Sequence, residues 1–345
     1  MHDNQWYRKE HPLLSLLGMG GGAGSPATTS SGPDAPDSGI TATGGTITTI
    51  KNHNGLNWKV HTFNSSGTFA VSAVSAPTDS PTAVQGKVEY LVIGGGGSGP
   101  NANGGGAGGG GAGGYRANVG QISPAPEPSG GTGSTEPAYP VSVTNYSITV
   151  GAGGAYSDSN HANSGSPSVF DNITSTGGGY GNCSDPGGGG DGGSGGGGGE
   201  FNGDRAVKGE GTANQGYDGG SGTGESTHAG GGGGGAAAAG GNGDSSNGSI
   251  SARYGGTGRA SSISGSPVFR AGGGGASGND RAGGNGGNGG GGNGGGGSGG
   301  PGDSPGGLSS GTANTGGGGG ARYVSPTLQA AGGSGVVIIR YVYNG

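Results

Sequence analysis

The run Tyr90-Leu91-Val92-Ile93 opens directly into Gly94-Gly95-Gly96-Gly97, and glycine then dominates until a second apolar run, Val336-Val337-Ile338-Ile339. Runs rich in β-branched residues favour strands, so this bracketing predicts a fold whose ends are stapled by strand pairing around a glycine-filled middle. A loose tail needs no staple. Glycine accounts for 103 of the 345 residues, and hydrophobic residues for 26%. Every ordered residue costs about 1–2 kcal/mol of backbone entropy, and glycine inside a helix or strand roughly 0.5–1 kcal/mol more than alanine. Apolar burial cannot offset that on this composition. An ordinary layered domain with a large apolar core is therefore disfavoured, and α-helix is almost excluded.

Two bland readings of a glycine-rich chain fail on the pattern. Disordered low-complexity sequence is disfavoured because charged residues are 10% with a net charge of −6, so self-repulsion is weak, and because short strand-like pieces interrupt the tracts. Collagen needs glycine at every third position with abundant proline. Gly230 to Gly235 followed by Ala236 to Ala239 keeps no such frame, and the 18 prolines fall mostly outside the tracts.

The chain reads as three segments. Residues 1–39 hold a dense apolar segment, with Trp6, Tyr7, Leu13, Leu14, Leu16 and Leu17, followed by a Pro/Ser/Asp linker; they are expected to be a docking arm or a short packed helix. Residues 40–93 are expected to form a small antiparallel β region. Its strands are Thr46 to Ile50, Trp58 to Phe63, Thr68 to Val71 and Val88 to Ile93, separated by Asn54-Gly55, Ser66-Gly67 and proline-containing turns. Period-two alternation puts Trp58 and Val60 on one face and His61 with Phe63 on the other, so His61 is expected to be a packed strand residue. Residues 94–345 form the glycine-rich domain, with further short strands at Tyr146 to Val150, Ser168 to Phe170 and Val268 to Arg270, closed by a strand over 336–343.

An extended threefold helix makes no hydrogen bonds within itself, so its N–H and C=O groups point sideways and must be satisfied by neighbours. Without Cβ atoms such threads can pack closely enough to bond to one another, at a net ~0.5–1.5 kcal/mol per bond. The fold expected is mostly β and irregular: a small antiparallel β base carrying a packed array of polyglycine-II helices. An interior thread should be all glycine, whereas a surface thread has room for a side chain at every third position. Asn285 and Asn288 fit the surface case; the frame slips at Asn293, so the run from Gly289 should turn inward or begin a new segment.

Little here points to chemistry. Gly94-x-Gly96-x-x-Gly99 matches a dinucleotide fingerprint in form, but no helix follows to receive a pyrophosphate. The six histidines are scattered and the carboxylates mostly isolated. Cys183 is the single cysteine, so no intrachain disulfide and no thiolate cluster can form. No enzyme activity, cofactor or metal is expected. No stretch has the ~20 apolar residues of a membrane helix, no secretory-type leader is evident, and 14 Lys+Arg without a basic cluster speak against nucleic acid. The inserts between tracts are more informative. Tyr156, His161, Tyr180, Phe201, Arg205, Tyr217 and Tyr323 sit where an array must turn, and aromatic groups on rigid loops suit recognition. A ring at such a turn can equally cover the array's end, and the sequence leaves both uses open.

Several ordered stretches carry a resemblance: Gly44 to Thr49, His61 to Phe63 through Gly67 to Phe69, Val88 to Gly97, Tyr146 to Gly154, and Gly332 to Tyr341. Over residues 40–343 the chain resembles the glycine-rich domain of bacteriophage tail-fibre and tip-adhesin proteins of the marine phage type. The resemblance implies a virion-surface protein whose polyglycine-II array presents receptor-contacting inserts to a host glycan or outer-membrane protein. The arm at residues 1–39 would then join a tail adaptor, fibre or capsid protein, with homo-oligomerisation open. The insert Gln121 to Tyr139, long and proline-rich, departs from the family pattern. The alternative within the same resemblance is a capsid decoration or head-fibre protein with no direct receptor role. An ice-binding or purely structural protein would need a flat face of small residues, which the aromatic inserts break.

Overall fold

The computed structural model describes residues 37–53, 55–75, 84–102, 106–120, 126–158, 161–183, 188–201, 204–205, 207–223, 229–243, 254–278, 283–295, 307–323 and 330–344. The proposed arm residues Trp6, Tyr7, Leu13, Leu14, Leu16 and Leu17 lie outside them. In chain order the strands are β1 (Ile40–Thr43), β2 (Thr46–His53), β3 (Leu56–Phe63), β4 (Gly67–Val74), β5 (Lys87–Ile93), β6 (Asn101–Ala102), β7 (Tyr115–Ala117), β8 (Tyr139–Pro140) and β9 (Asn145–Thr149). There follow β10 (Ser168–Phe170), β11 (Ile173–Ser175), β12 (Glu200–Phe201), β13 (Asp204–Arg205), β14 (Arg259–Ser261), β15 (Val268–Arg270), β16 (Arg322–Tyr323) and β17 (Val336–Val342). No helix occurs among the described residues.

Two antiparallel sheets face one another. One has the order β2-β3-β17-β5-β7, with β8 also on β5; the other runs β1-β4-β9-β10-β11. The expected staple is the centre of the first sheet, where Val336 pairs with Ile93, Ile338 with Leu91 and Arg340 with Glu89. Between the sheets lies an apolar core that takes Val88, Tyr90 and Val92 from β5, Val337, Ile339 and Tyr341 from β17, and Phe69, Tyr146, Ile148 and Phe170 from the opposite sheet. The alternate residues Leu91, Ile93, Val336 and Ile338 point the other way, flanked within the sheet by Trp58, Val60 and Tyr115 and packed against Ala236 and Ile263. Both faces of β17 are thus buried, which explains an unbroken apolar run where a half-exposed strand would alternate.

His61 belongs to the core, as its alternation predicts: fully buried, it lies edge-on to Phe69 at 5.1 Å and stacked with Tyr341 at 5.6 Å. Burial lowers its pKa, against the bond between Nδ1 and the Gly44 carbonyl at 2.8 Å. Arg340 and Glu89 form a buried ion pair with Nη2 and Oε2 2.7 Å apart. The pair is saturated by its surroundings: Gly120 N–H donates to Glu89 at 2.9 Å, Arg340 donates to the Ser262 carbonyl at 3.1 Å, and the guanidinium lies 4.1 Å from the Trp58 ring centre.

The strands do not stop where the sheets do. β5 runs on into the thread 94–99, β9 into 151–156 and β11 into 176–182, while threads lead into β7 and β17. Each thread shows the expected threefold bonding, most fully in residues 107–114. Gly108 and Gly111 donate to Asn182 and Gly179, Gly109 and Ala112 to Gly231 and Gly234, and Gly110 and Gly113 to Gly319 and Gly316. Its carbonyls accept from three further threads: Gly109 and Ala112 from Gly197 and Ser194, Ala107 and Gly110 from Ser277 and Gly274, and Gly111 and Gly114 from Gly97 and Gly94. Residues three apart always address the same neighbour, as a helix of three residues per turn requires. The central thread therefore has a hexagon of partners, all antiparallel to it except the one at 231–234.

This lattice admits no side chain where threads touch. A Cβ built on Gly110 would sit 2.2 Å from the Gly97 carbonyl oxygen, and one on Gly113 1.9 Å from that of Gly94. The expectation that an interior thread is all glycine is nonetheless too strict. Ala107 and Ala112 are fully buried in the central thread. They lie towards its two ends, where Ala112 meets the apolar face of the sheet and Ala107 packs with Cys183 and Ala321. Asn285 and Asn288 are exposed, with Gly284 and Gly287 buried beside them. The frame slip is a chain reversal: Gly289 and Gly290 have φ of 103° and 95°, conformations open to glycine, and the thread resumes at Gly291.

Candidate functional site

The sheets close one end of the array, and the connections around Tyr156, His161 and Tyr180 lie at the other. Threads rise about 3.1 Å per residue, so Tyr156 lies on the order of 20 Å beyond the end of β9. Its loop is pinned by short polar links: Ser98 Oγ donates to the Ala155 carbonyl at 2.9 Å, and Asn163 N–H donates to Ser98 Oγ at 3.0 Å. The Tyr156 hydroxyl donates to Asp158, and Arg322 places its guanidinium 5.9 Å from the Tyr156 ring centre. Partial burial and the bond to Asp158 raise the Tyr156 pKa, so the phenol stays protonated at neutral pH.

Arg322 is held from below. Its strand β16 pairs in parallel with β6, its amide bonds the Pro100 carbonyl at 3.0 Å, and its Nε donates to Asn101 Oδ1 at 3.2 Å. The side chain is 3% exposed, so the cation stands in a fixed place under the ring. Beside this group the exposed His161 bridges to Asn182 and meets the Tyr180 ring edge-on at 6.4 Å. Tyr180 also covers the array, since its ring lies against Gly190, where a Cβ would come within 2.5 Å of it. Cys183 is buried nearby with its thiol pushed up to about 12 by burial; it stays a thiol at neutral pH.

Of the seven candidate contact residues, the structure brings Tyr156, His161, Tyr180 and the backbone of Tyr323 to this end. Phe201 and Arg205 lie on the β12–β13 hairpin, where Glu200 N–H donates to the Gly106 carbonyl at the same end of the central thread. Tyr217 stands apart. Its amide bonds the Gly235 carbonyl at 3.1 Å, next to Ala236 and the sheet. The pairing of Arg322 with Asn101 spans 221 residues, so no local signal in the sequence marks it. The glycines of the dinucleotide-like motif are occupied by the lattice, with Gly94 and Gly96 bonded to Gly114 and Gly333, and the short strand β6 follows them. Among the described residues no three His, Cys, Asp or Glu side chains gather in a metal-binding arrangement.

No curated protein sequence matches the chain. The family model for the glycine-rich domain matches residues 64–342, from the end of β3 to the last residue of β17, and so takes in the entire thread array with its closing strand. The chain belongs to the glycine-rich domain family.

Proposed function

We propose that this protein is a bacteriophage virion component of the tail-fibre adhesin kind, which mounts its recognition surface on the glycine-rich array. In this reading residues 1–39 dock to a tail adaptor, fibre or capsid protein, and the end of the array remote from the sheets meets a host glycan or outer-membrane protein. The observation that supports it most is the group formed by Tyr156, Asp158 and the buried Arg322, with His161 and Tyr180 alongside. A tyrosine held in place by the buried Arg322 loses little entropy on contact, which favours its use as an anchor. The threads beneath supply that rigidity.

The test is competition. Purified protein is added to host cells before challenge with particles, and the triple variant Tyr156→Ala, His161→Ala, Tyr180→Ala is compared with the parent. The parent is expected to slow adsorption and the variant to lose at least about tenfold in potency, equivalent to a single anchor contact, with an unchanged thermal transition. Equal competition by both proteins removes the contact assignment.

A further inference from the structure

The segment 126–139 lies along the outer edge of the first sheet and builds a second feature there. Arg116 on β7 holds Glu136 with both prongs of its fork, Nε to Oε1 at 2.8 Å and Nη2 to Oε2 at 2.5 Å. Glu136 also accepts from the hydroxyls of Tyr90 at 2.5 Å and Ser129 at 3.0 Å. Burial pushes the Glu136 carboxyl up, but these donors outweigh it and hold the group below the usual carboxylate range. The pair is thus ionised on both sides and electrically closed.

Beside it opens a cavity of about 310 Å³, walled on its far side by the turn Ala213-Asn214-Gln215. Gln215 Oε1 already accepts from Thr176 N–H at 2.8 Å, so the side-chain amide is fixed and its NH₂ remains as a donor. Asn214, exposed and in the left-handed region with φ of 61°, offers both a donor and an acceptor at the rim, and Ser134 adds a hydroxyl. The volume is at the low end for ligand sites, about 300–1,000 Å³, which matches one sugar-sized ring. The lining lacks an aromatic or aliphatic wall, so an apolar ligand finds no surface to cover. Arg116 is neutralised by Glu136 and the chain carries a net charge of −6, so an anion finds no surplus positive charge. What fits is a ligand whose groups both donate and accept.

We propose that the cavity between the Arg116–Glu136 pair and the Asn214 turn binds a neutral monosaccharide unit, either free or as the terminal residue of a glycan. The site lies at the sheet end of the molecule, apart from the Tyr156 group, and the assignment stands whether or not the adhesin reading does. A small polar ligand on such a surface should bind weakly, with Kd on the order of 1–10 mM.

The full-length protein is titrated with methyl glycosides of glucose, galactose, mannose and N-acetylglucosamine by ligand-observed NMR. Two variants leave the ion pair untouched. Asn214→Gly keeps the backbone conformation and removes the amide, and Ala213→Trp fills the cavity. At least one glycoside should bind the parent, about tenfold more weakly to Asn214→Gly, as loss of one good hydrogen bond implies, and not measurably to Ala213→Trp. Both variants should melt with the parent. No binding at concentrations on the order of 50 mM, well above the expected Kd, overturns the proposal, as does binding that both variants retain or a preference for a uronic acid over its neutral counterpart. Retention on immobilised glycans ending in the same sugar assigns the terminal-residue source, and binding of the glycoside without such retention assigns the free sugar; either result supports the site. Loss of host competition in the Tyr156, His161, Tyr180 variant with sugar binding intact separates the two proposals.

Discussion

At the scale of the residue, this fold reduces to the question of which positions tolerate a Cβ. Neighbouring residues on one thread answer it differently. Gly287 is buried and a Cβ there would lie 1.9 Å from the Gly256 carbonyl oxygen, whereas Asn288 is exposed with its side chain directed away from the lattice. Gly287→Ala is therefore expected to cost at least about 1–3 kcal/mol, the range for overpacking a core, and Asn288→Ala to stay within about 0.5 kcal/mol of the parent. Denaturant unfolding of the two variants measures this, and equal costs would contradict the threefold packing. The periodicity of Asn285 and Asn288 was legible in the sequence because a surface thread writes its period in side chains. Ala107 and Ala112 were not, since an alanine inside a lattice and one on its flank look alike until the neighbours are known.

At the scale of the element, strands and threads are continuous, and their stabilising groups differ. β5 and β17 are held by apolar contacts on two faces and by one ion pair, Glu89 with Arg340, buried at 0% and 1% exposure. Removing one partner leaves the other uncompensated in a dry place. Arg340→Ala should cost about 3–5 kcal/mol, and replacing both groups together with Glu89→Leu and Arg340→Met should cost less than the single change. Chemical denaturation of the single and double variants checks the order; a double variant weaker than the single one would refute the uncompensated-charge account. The pairing of β5 with β17 could be read from the two apolar runs, as could the faces of β3 from Trp58, Val60 and His61. The neighbours of each thread could not. Glycine tracts carry no label that distinguishes one from another, so the hexagon around residues 107–114 follows only from the assembled chain. The same holds for the distal cluster, whose members Tyr156, Arg322 and Asn101 lie far apart in sequence, and for the cavity beside Arg116, which needs three separate segments.

At the scale of the whole molecule, the driving force for folding is distributed unusually. Main-chain bonds between threads supply much of what apolar burial supplies elsewhere. Exposure of apolar surface raises the heat capacity on unfolding and exposure of polar surface lowers it, giving about 12–15 cal/mol/K per residue for ordinary domains. This protein should fall below that range by scanning calorimetry, with a correspondingly flat stability curve; a value inside the range would mean that apolar burial dominates after all.

The threads are secured sideways along their whole length, as the partners of Gly108 to Gly113 illustrate. A mutation in a distal connection such as that around Tyr156 consequently leaves the bonding that defines the array in place. Lineages carrying this scaffold can therefore diversify their outer end rapidly, by swapping or resizing single connections, while inheriting the framework unchanged.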